Sequence, residues 1–310
     1  RVLFRSYQFN HREEWSAFHT HYDTQVMPAK DPDRELVFKL HTFSSSLKLR
    51  LSSSSSWEHM AGWNMQIQKN AIGGYSFLLP EYKRFTTGAF WLTTFRLDNQ
   101  LSVTGGIRYD RGRIDITAFE DPYLVEYLHR QGYEEEVIQA YRWRSYPVDR
   151  AYGNYSCSAG VVWTPAAGHL LKMNVGRSFR LPGVNELASN GVHHGTFRHE
   201  KGDATLSSEQ GWQIDASYTL AYKKMELVVS SFASWFDNYI YLRPMGEWSV
   251  LPHAGQIYQY SGARALFMGG EINFNMDFLR HFNYRLVGEY VYTYNRDEHT
   301  ALSFSPPVSM

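Results

Sequence analysis

The segment Gln100–Asp110, with the sequence Gln-Leu-Ser-Val-Thr-Gly-Gly-Ile-Arg-Tyr-Asp, decides the fold because its side chains alternate in character. One set is mainly apolar: Leu101, Val103, Gly105, Ile107 and Tyr109. The other set is mainly polar: Ser102, Thr104, Gly106, Arg108 and Asp110. A period of two residues indicates a β-strand whose two faces meet different surroundings. Charge on the polar face favours a hydrated interior over the apolar core of a β-sandwich.

The same alternation recurs along the chain, for example in Glu209–Tyr222 and Asn283–Tyr294. It predicts about eleven strands in an all-β, antiparallel arrangement. The predicted strands cover residues 1–11, 35–50, 57–68, 84–96, 100–115, 151–163, 169–179, 208–222, 225–242, 257–277 and 283–296.

The connections between these strands alternate in length. The short ones are 52–56, 97–99, 164–168, 222–224 and 279–282. The long ones are 13–34, 70–83, 117–150, 180–206 and 243–256. Short turns at one end and long loops at the other are typical of a transmembrane β-barrel with periplasmic turns and extracellular loops. A soluble sandwich with long loops is the alternative.

Composition supports a barrel and excludes several other classes. Aromatic residues make up 16% of the chain, and Tyr and Trp suit membrane interfaces. The 31 basic and 31 acidic residues balance, which gives no indication of a nucleic-acid partner. The single cysteine, Cys157, excludes an internal disulfide, and its alternation with Tyr155 and Ala159 predicts a lipid-facing position. No apolar run is long enough for a transmembrane helix.

Two motifs carry a resemblance to a known family. The first is Val175–Leu187, Val-Gly-Arg-Ser-Phe-Arg-Leu-Pro-Gly-Val-Asn-Glu-Leu, and the second is Gly202–Glu209, Gly-Asp-Ala-Thr-Leu-Ser-Ser-Glu. They resemble consecutive motifs of TonB-dependent outer-membrane receptors, with Asp203 where that family usually has Asn. The matching residues are Arg177, Phe179, Arg180, Pro182, Glu186, Leu187, Gly202, Leu206 and Glu209. We expect structural roles for all of them, with Arg177 and Glu209 facing the lumen.

The resemblance implies an integral protein of the bacterial outer membrane, whose partners are the surrounding lipid, the transported ligand and TonB. TonB would act through a plug domain and TonB box. Eleven strands is an odd number and about half of the roughly 22 found in plugged outer-membrane transporters. We therefore expect residues 1–310 to be a partial barrel domain that lacks the plug, the first strands and the last strands.

Seven of the thirteen histidines lie on the predicted long loops, and an eighth, His299, follows the last predicted strand. His193, His194, His199 and Glu200 are close together on one loop, and His19, His21 and Asp23 alternate on another. Clustered imidazoles beside a carboxylate suit zinc and related metals. The first loop is also similar to the corresponding loop of zinc-uptake receptors in the family. Histidines on polar loops are otherwise ordinary, so a solvated loop is the alternative.

No nucleophile elbow, phosphate loop or paired-carboxylate motif accompanies these features, so we expect a transporter without a catalytic site or resident cofactor. The expected cargo is a scarce metal ion, zinc first, or a metal complex such as an iron complex. A siderophore, haem or another TonB-dependent cargo remains an alternative. A passive porin or an adhesin-like barrel is the alternative from another class.

Overall fold

A computed structural model of the chain describes residues 2–17, 31–52, 54–193, 196–279 and 282–302. The strands, in chain order, are β1 (Val2–Trp15), β2 (Arg34–Ser52), β3 (Trp57–Gly73), β4 (Tyr82–Arg96), β5 (Leu101–Ile116), β6 (Phe119–Glu120), β7 (Trp143–Ser145), β8 (Val148–Trp163), β9 (His169–Arg180), β10 (Asn190–His193), β11 (Arg198–Lys201), β12 (Glu209–Tyr222), β13 (Met225–Trp248), β14 (Gln256–Leu279) and β15 (Phe282–Asn295). The helices are α1 (Pro122–Arg130), α2 (Glu135–Tyr141) and α3 (Val184–Ala188).

Eleven long strands form an antiparallel meander in the order β1-β2-β3-β4-β5-β8-β9-β12-β13-β14-β15. The hairpin β10–β11 joins the same sheet, because β11 pairs in parallel with the start of β14. Within the described residues β1 and β15 are the edges, so the sheet does not close into a barrel. The prediction of about eleven antiparallel strands, made from the alternation, is confirmed.

The connections define two ends of the sheet. The turn end carries the links 53–56, 97–100, 164–168, 223–224 and 280–281. The loop end carries the links 16–33, 74–81, 117–147, 181–208 and 249–255. In the described part of the chain, no helix is long and apolar enough to cross a membrane.

The sheet has an apolar face and a polar face over most of its height. Residues directly opposite each other on paired strands share a face. On the apolar face Trp91 lies opposite Ile107, and Ile107 lies opposite Cys157. Ile107 is 59% exposed and so does not belong to the buried core. On the polar face Arg108 forms an ion pair with Asp110 and donates to Asn64.

The core lies at the loop end, on the polar face. Ile114 and Ile116 of β5 pack there with Val148 and Tyr152 of β8 and with Leu187 of α3. A second cluster joins the helices of the 117–147 loop to the hairpin and to the 249–255 loop. Its buried members are Leu124, Leu128, Ile138, Val192 and Leu251.

The two longest described connections are therefore folded, which the strand pattern did not predict. Helix α1 begins after Asp121, whose carboxylate accepts from the backbone N–H groups of Tyr123 and Leu124 at 3.1 and 3.2 Å. Pro122 occupies the first helical turn, where a missing N–H costs nothing. We call the described residues 117–147, 181–193, 196–208 and 249–255 together the cap.

Candidate functional site

The family-type motif at the end of β9 builds the junction between the sheet and the cap. Arg180 donates to Glu186 at 2.8 Å and to Glu209 at 3.0 Å, and it lies opposite Glu209 on the polar face. The carboxylate of Glu186 also accepts from the N–H of Gly183 at 2.7 Å. These contacts fix the start of α3 to the strands on either side of the 181–208 loop.

The apolar residues of the motifs are packed beneath this junction. Leu187 is fully buried, Leu206 is 5% exposed, and Pro182 is also fully buried. Gly202 passes so close to α3 that an added Cβ would lie 2.5 Å from the backbone nitrogen of Ala188. A side chain at position 202 would therefore push the loop off α3, which explains glycine there.

Arg177 does not lie where we expected it. It is opposite Cys157 and Trp212 and so lies on the apolar face, whereas Glu209 is on the polar face as expected. Pairing between β8 and β9 ends at this position. The guanidinium of Arg177 donates to the carbonyl of Tyr155 and to Gln210 at 2.6 Å, and it stacks on the Tyr155 ring at 4.1 Å. It satisfies polar groups that the ladder leaves unpaired.

Phe179 also belongs to the apolar face, where it lies opposite Gln210 and is half-buried. Each of the nine motif residues is packed or hydrogen-bonded within the protein, including Arg177, which also lines a cavity of about 470 Å³. Their contacts support the structural role expected for them.

His199 is fully buried and contacts three other segments of the cap. Its Nε2 lies 2.9 Å from Oδ1 of Asn190 and its Nδ1 lies 2.8 Å from Oγ of Ser249. The edge of the ring meets Tyr141 at 5.4 Å between centroids. Burial lowers the pKa of His199 to about 3, so the ring is neutral at physiological pH.

Asn190 fixes the tautomer of this ring. Its amide nitrogen donates to the carbonyls of Ala140 and Trp143 at 3.2 and 2.7 Å, and it lies 3.0 Å from the hydroxyl of Tyr146. Its Oδ1 must then accept, so His199 donates from Nε2 and accepts from Ser249 at Nδ1. Both nitrogens of His199 are used within the protein, and neither is directed at a ligand.

Glu200, the next residue, lies beside a cavity of about 200 Å³ in the cap. Its carboxylate accepts from the hydroxyl of Tyr260 at 3.0 Å. Arg144 lines the same cavity, and its Nη1 lies 3.5 Å from Asp121. Burial raises the pKa of Asp121, with Arg144 opposing that effect. The cavity is lined on other sides by Phe77, Leu78, Leu79, Asn185, Ser189, Asn190, Gly191 and Val192.

The other predicted metal ligands fall mainly outside the described residues. His19, His21, Asp23 and His194 lie there, and His193 is described only as backbone at the end of β10. Among the residues that are described, no three His, Cys, Asp or Glu side chains are placed to hold one metal ion.

Sequence reasoning missed Asn190, Ser249, Tyr141 and Arg144, which organise the cap. Asn190 and Ser249 lie fifty-nine positions apart in the sequence, and both hydrogen-bond to His199. The contact between them, through His199, joins loops that the linear pattern treats as separate.

Comparison with known proteins identifies the family. The family model for the TonB-dependent receptor-like β-barrel matches residues 3–309. No curated protein sequence matches the chain.

Several solved structures share the fold. The copper transporter OprC superposes with a TM-score of 0.67 at 15% identity, over 99% of this chain and 46% of that one. The hemophore receptor HasR of Serratia marcescens, in complex with the hemophore HasA and heme, gives 0.56 at 19% identity, over 84% and 42%. The iron transporter FrpB of Neisseria meningitidis (F3-3 variant) gives 0.58 at 11%, over 96% and 41%.

The chain thus spans less than half the length of these structures, and identities this low indicate the fold alone. The family model, in contrast, covers nearly the whole chain. The chain therefore belongs to the TonB-dependent receptor family, in which it corresponds to a part of the β-barrel.

Proposed function

We propose that this chain is part of an energised importer in the outer membrane of a Gram-negative bacterium, and that its cargo is a scarce metal ion or metal complex. Its family consists of outer-membrane transport receptors. In this proposal the apolar face of the sheet contacts lipid and the polar face lines the lumen. Cargo enters at the loop end, TonB supplies the coupling to energy, and no bond of the cargo is broken.

The observation that carries the proposal is the inverted polarity of the sheet. Large apolar side chains such as Val103, Ile107 and Trp91 are 40%, 59% and 44% exposed on one face. The ion pair of Arg108 with Asp110 lies on the other face. In water this arrangement is unfavourable, because a broad area of apolar side chains is exposed on one face of the sheet. In a bilayer it is the favourable one.

The class of cargo is supported by the fold relatives and by the loops. The matched structures include a copper transporter, a hemophore receptor bound to heme, and an iron transporter. Of the residues proposed as ligands, His199 is now better placed as a structural residue, since both its ring nitrogens are hydrogen-bonded. We retain His193, His194, His19, His21 and Asp23 as candidate ligands for zinc, and Glu200 as a carboxylate beside the cap cavity.

Zinc titration of the full-length receptor tests the zinc version. Replacing His193 and His194 with Ala should weaken zinc binding at least about tenfold, because each ligand contributes strongly to a site of three or four. The control is His129→Ala, on the last turn of α1 and outside the proposed set. Unchanged zinc affinity in the double variant would contradict the zinc version.

Uptake by whole cells separates the remaining candidates. A metal complex, such as a siderophore or haem complex, should accumulate only when TonB and the proton gradient are intact. Accumulation that continues without them would instead indicate a passive porin. Absence of any cargo uptake, together with cell binding, would favour an adhesin-like barrel.

A further inference from the structure

The dipeptide Asn190-Gly191 lies where the segments of the cap meet, and it is the one Asn-Gly pair in the sequence. An asparagine followed by glycine loses its side-chain amide especially readily, because glycine has no side chain to hinder attack by its own backbone nitrogen. Such a pair is a chemical weak point wherever it is open to water. The contacts of the cap nevertheless require both residues.

Position 190 requires a short amide. Oδ1 of Asn190 accepts from Nε2 of His199 at 2.9 Å, while its Nδ2 donates to the carbonyls of Ala140 and Trp143 at 3.2 and 2.7 Å. Aspartate has no donor for these carbonyls, and serine has too few groups to satisfy all three partners. Glutamine carries the right groups but is one methylene longer, which a fully buried position accommodates poorly.

Position 191 requires glycine. A Cβ there would overlap Nε of Arg144. The side chain of Arg144 is only 6% exposed and forms an ion pair with Asp121, so it is held in place against the backbone of Gly191. The packing of the cap therefore brings about the labile pair, since each of its two residues is fixed by a different set of contacts.

The closed cap protects this pair. Deamidation requires Cγ of Asn190 to turn towards the backbone nitrogen of Gly191, and it requires water. Asn190 is 1% exposed, and the carbonyls of Ala140 and Trp143 hold its amide in place. Gly191 is held within β10, opposite Glu200 of β11. The reaction must therefore wait for local opening of the cap, as hydrogen exchange of a buried backbone amide does.

We propose that Asn190 is a modification site that is deamidated when the cap opens, and that the product prevents the cap from closing again. The backbone nitrogen of Gly191 bonds to Cγ of Asn190, and the bond from Cγ to Nδ2 breaks. The proton of Gly191 leaves with the side-chain nitrogen as ammonia. Water then hydrolyses one of the two carbonyl–nitrogen bonds of the cyclic imide, which leaves aspartate or isoaspartate.

The product no longer fits the cap. A carboxylate at position 190 cannot donate to the carbonyls of Ala140 and Trp143, so acceptor atoms face each other in a buried site. Isoaspartate also lengthens the backbone by one carbon, which displaces Gly191 from its position opposite Glu200. Because the amide is lost as ammonia, the change is irreversible, and each opening of the cap carries a chance of disabling it.

Deamidation of the full-length receptor in detergent at mildly alkaline pH is measured by peptide mass spectrometry. Ser249→Ala removes the hydrogen bond to Nδ1 of His199 and so favours the open cap. It should raise the rate at Asn190 about tenfold, because one lost hydrogen bond to a buried group changes the open population by about that factor. The control Ser230→Ala, on β13 outside the cap, should leave the rate unchanged.

Unfolding in urea supplies the reference rate. Asn190 should react at least about tenfold faster in unfolded than in folded wild type. In the unfolded chain it should also react faster than Asn99, which is followed by glutamine. Equal rates at Asn190 in Ser249→Ala and Ser230→Ala, or in folded and unfolded wild type, would overturn the proposal.

Asn190→Asp reproduces one product and tests its consequence. Backbone hydrogen exchange in β10 and β11 should be at least about tenfold faster in this variant than in wild type, while the membrane strands keep their protection. The matched control Asn185→Asp adds the same charge at an exposed position on α3 and should exchange like wild type. Wild-type protection of β10 and β11 in Asn190→Asp would show that the cap closes over the product, against the proposal.

Discussion

The two ends of strand β5 differ in which face of the sheet carries the apolar side chains. Toward the turn end, Val103 and Ile107 are exposed on the apolar face while Arg108 and Asp110 form an ion pair on the polar face. Toward the loop end, Ile114 and Ile116 are 3% and 2% exposed and lie on that same polar face.

Along β5 the apolar side chains therefore change from one face to the other, which marks where the surroundings of the strand change. Arg111 and Arg113 extend from the face that carried Val103 and Ile107. From Leu101 to Tyr109, the part we call the membrane half, apolar side chains are exposed on the outer face of the sheet. From Arg111 to Ile116, the part we call the cap half, apolar side chains are instead buried under the cap. The predictions below test this difference between the membrane half and the cap half of the sheet.

The largest expected effect belongs to the core of the cap half. Leu187→Ala should lower the free energy of unfolding by about 2–5 kcal/mol, because it leaves a cavity under α3 in addition to the lost burial. The matched control is Leu286→Ala in the membrane half, where the side chain is 47% exposed. Lipid can fill the space there, so the expected loss is about 1–2 kcal/mol.

Urea unfolding of the full-length receptor in lipid vesicles measures both values. Equal losses for Leu187→Ala and Leu286→Ala would show that the two halves of the sheet are packed in the same way, against the difference described above.

A charge placed on the apolar face tests the membrane half directly. Ile107→Lys should cost about 2–4 kcal/mol, because a lysine near the middle of a lipid-facing strand loses its hydration. Ser158→Lys, exposed on the polar face nearby, should cost less than about 1 kcal/mol. The same vesicle-based unfolding assay applies. A larger cost for Ser158→Lys than for Ile107→Lys would reverse the assignment of the two faces.

The cap half should weaken in acid because of His199. Its pKa falls from the usual 6.5 to about 3 in the folded protein, owing to burial. The stabilisation is complete above pH 6.5 and is lost as the pH falls toward 3, since only the unfolded cap takes up the proton readily. At pH 5 the expected loss is about 2 kcal/mol.

Hydrogen exchange of the backbone amides of β10 and β11, corrected for intrinsic rates, measures this loss at pH 7 and pH 5. His199→Gln should remove most of the pH dependence while lowering protection at both values. The membrane strands serve as an internal control and should not change. An identical pH dependence in wild type and His199→Gln would exclude His199 as its origin.

The sequence predicted the membrane half better than the cap half, and the reason is physical. Alternation is local, so residues such as Leu101 and Val103 indicate a strand without knowledge of its neighbours. Helix α1 also had a local signal, Asp121-Pro122, that the strand pattern concealed. The environment of His199 had none, because Asn190 and Ser249 are brought to it by folding. The sequence alone does not distinguish a buried structural histidine from a metal-binding one.

Arg177 shows a different limit. Its charge favoured a position facing the lumen. It is, however, two residues from Val175 and four from Met173, and this spacing places it on the apolar face. The end of the β8–β9 ladder at Cys157 provides the unpaired groups that accept its hydrogen bonds, and strand pairing of that kind is not visible in the sequence.

The smallest expected effect concerns the junction between the two halves. Glu209→Gln removes one partner of Arg180 and should lower stability by about 1 kcal/mol, because Glu186 still holds the guanidinium and Arg180 is partly exposed to solvent. Asp149→Asn, which breaks the exposed pair with Arg113 on the other face, should cost less than about 0.5 kcal/mol. A double-mutant cycle of Glu209→Gln with Glu186→Gln isolates the coupling through Arg180. If the two changes are additive, the three residues are independent contacts. A coupling of about 0.5 kcal/mol or more would instead show that the two carboxylates act jointly through Arg180.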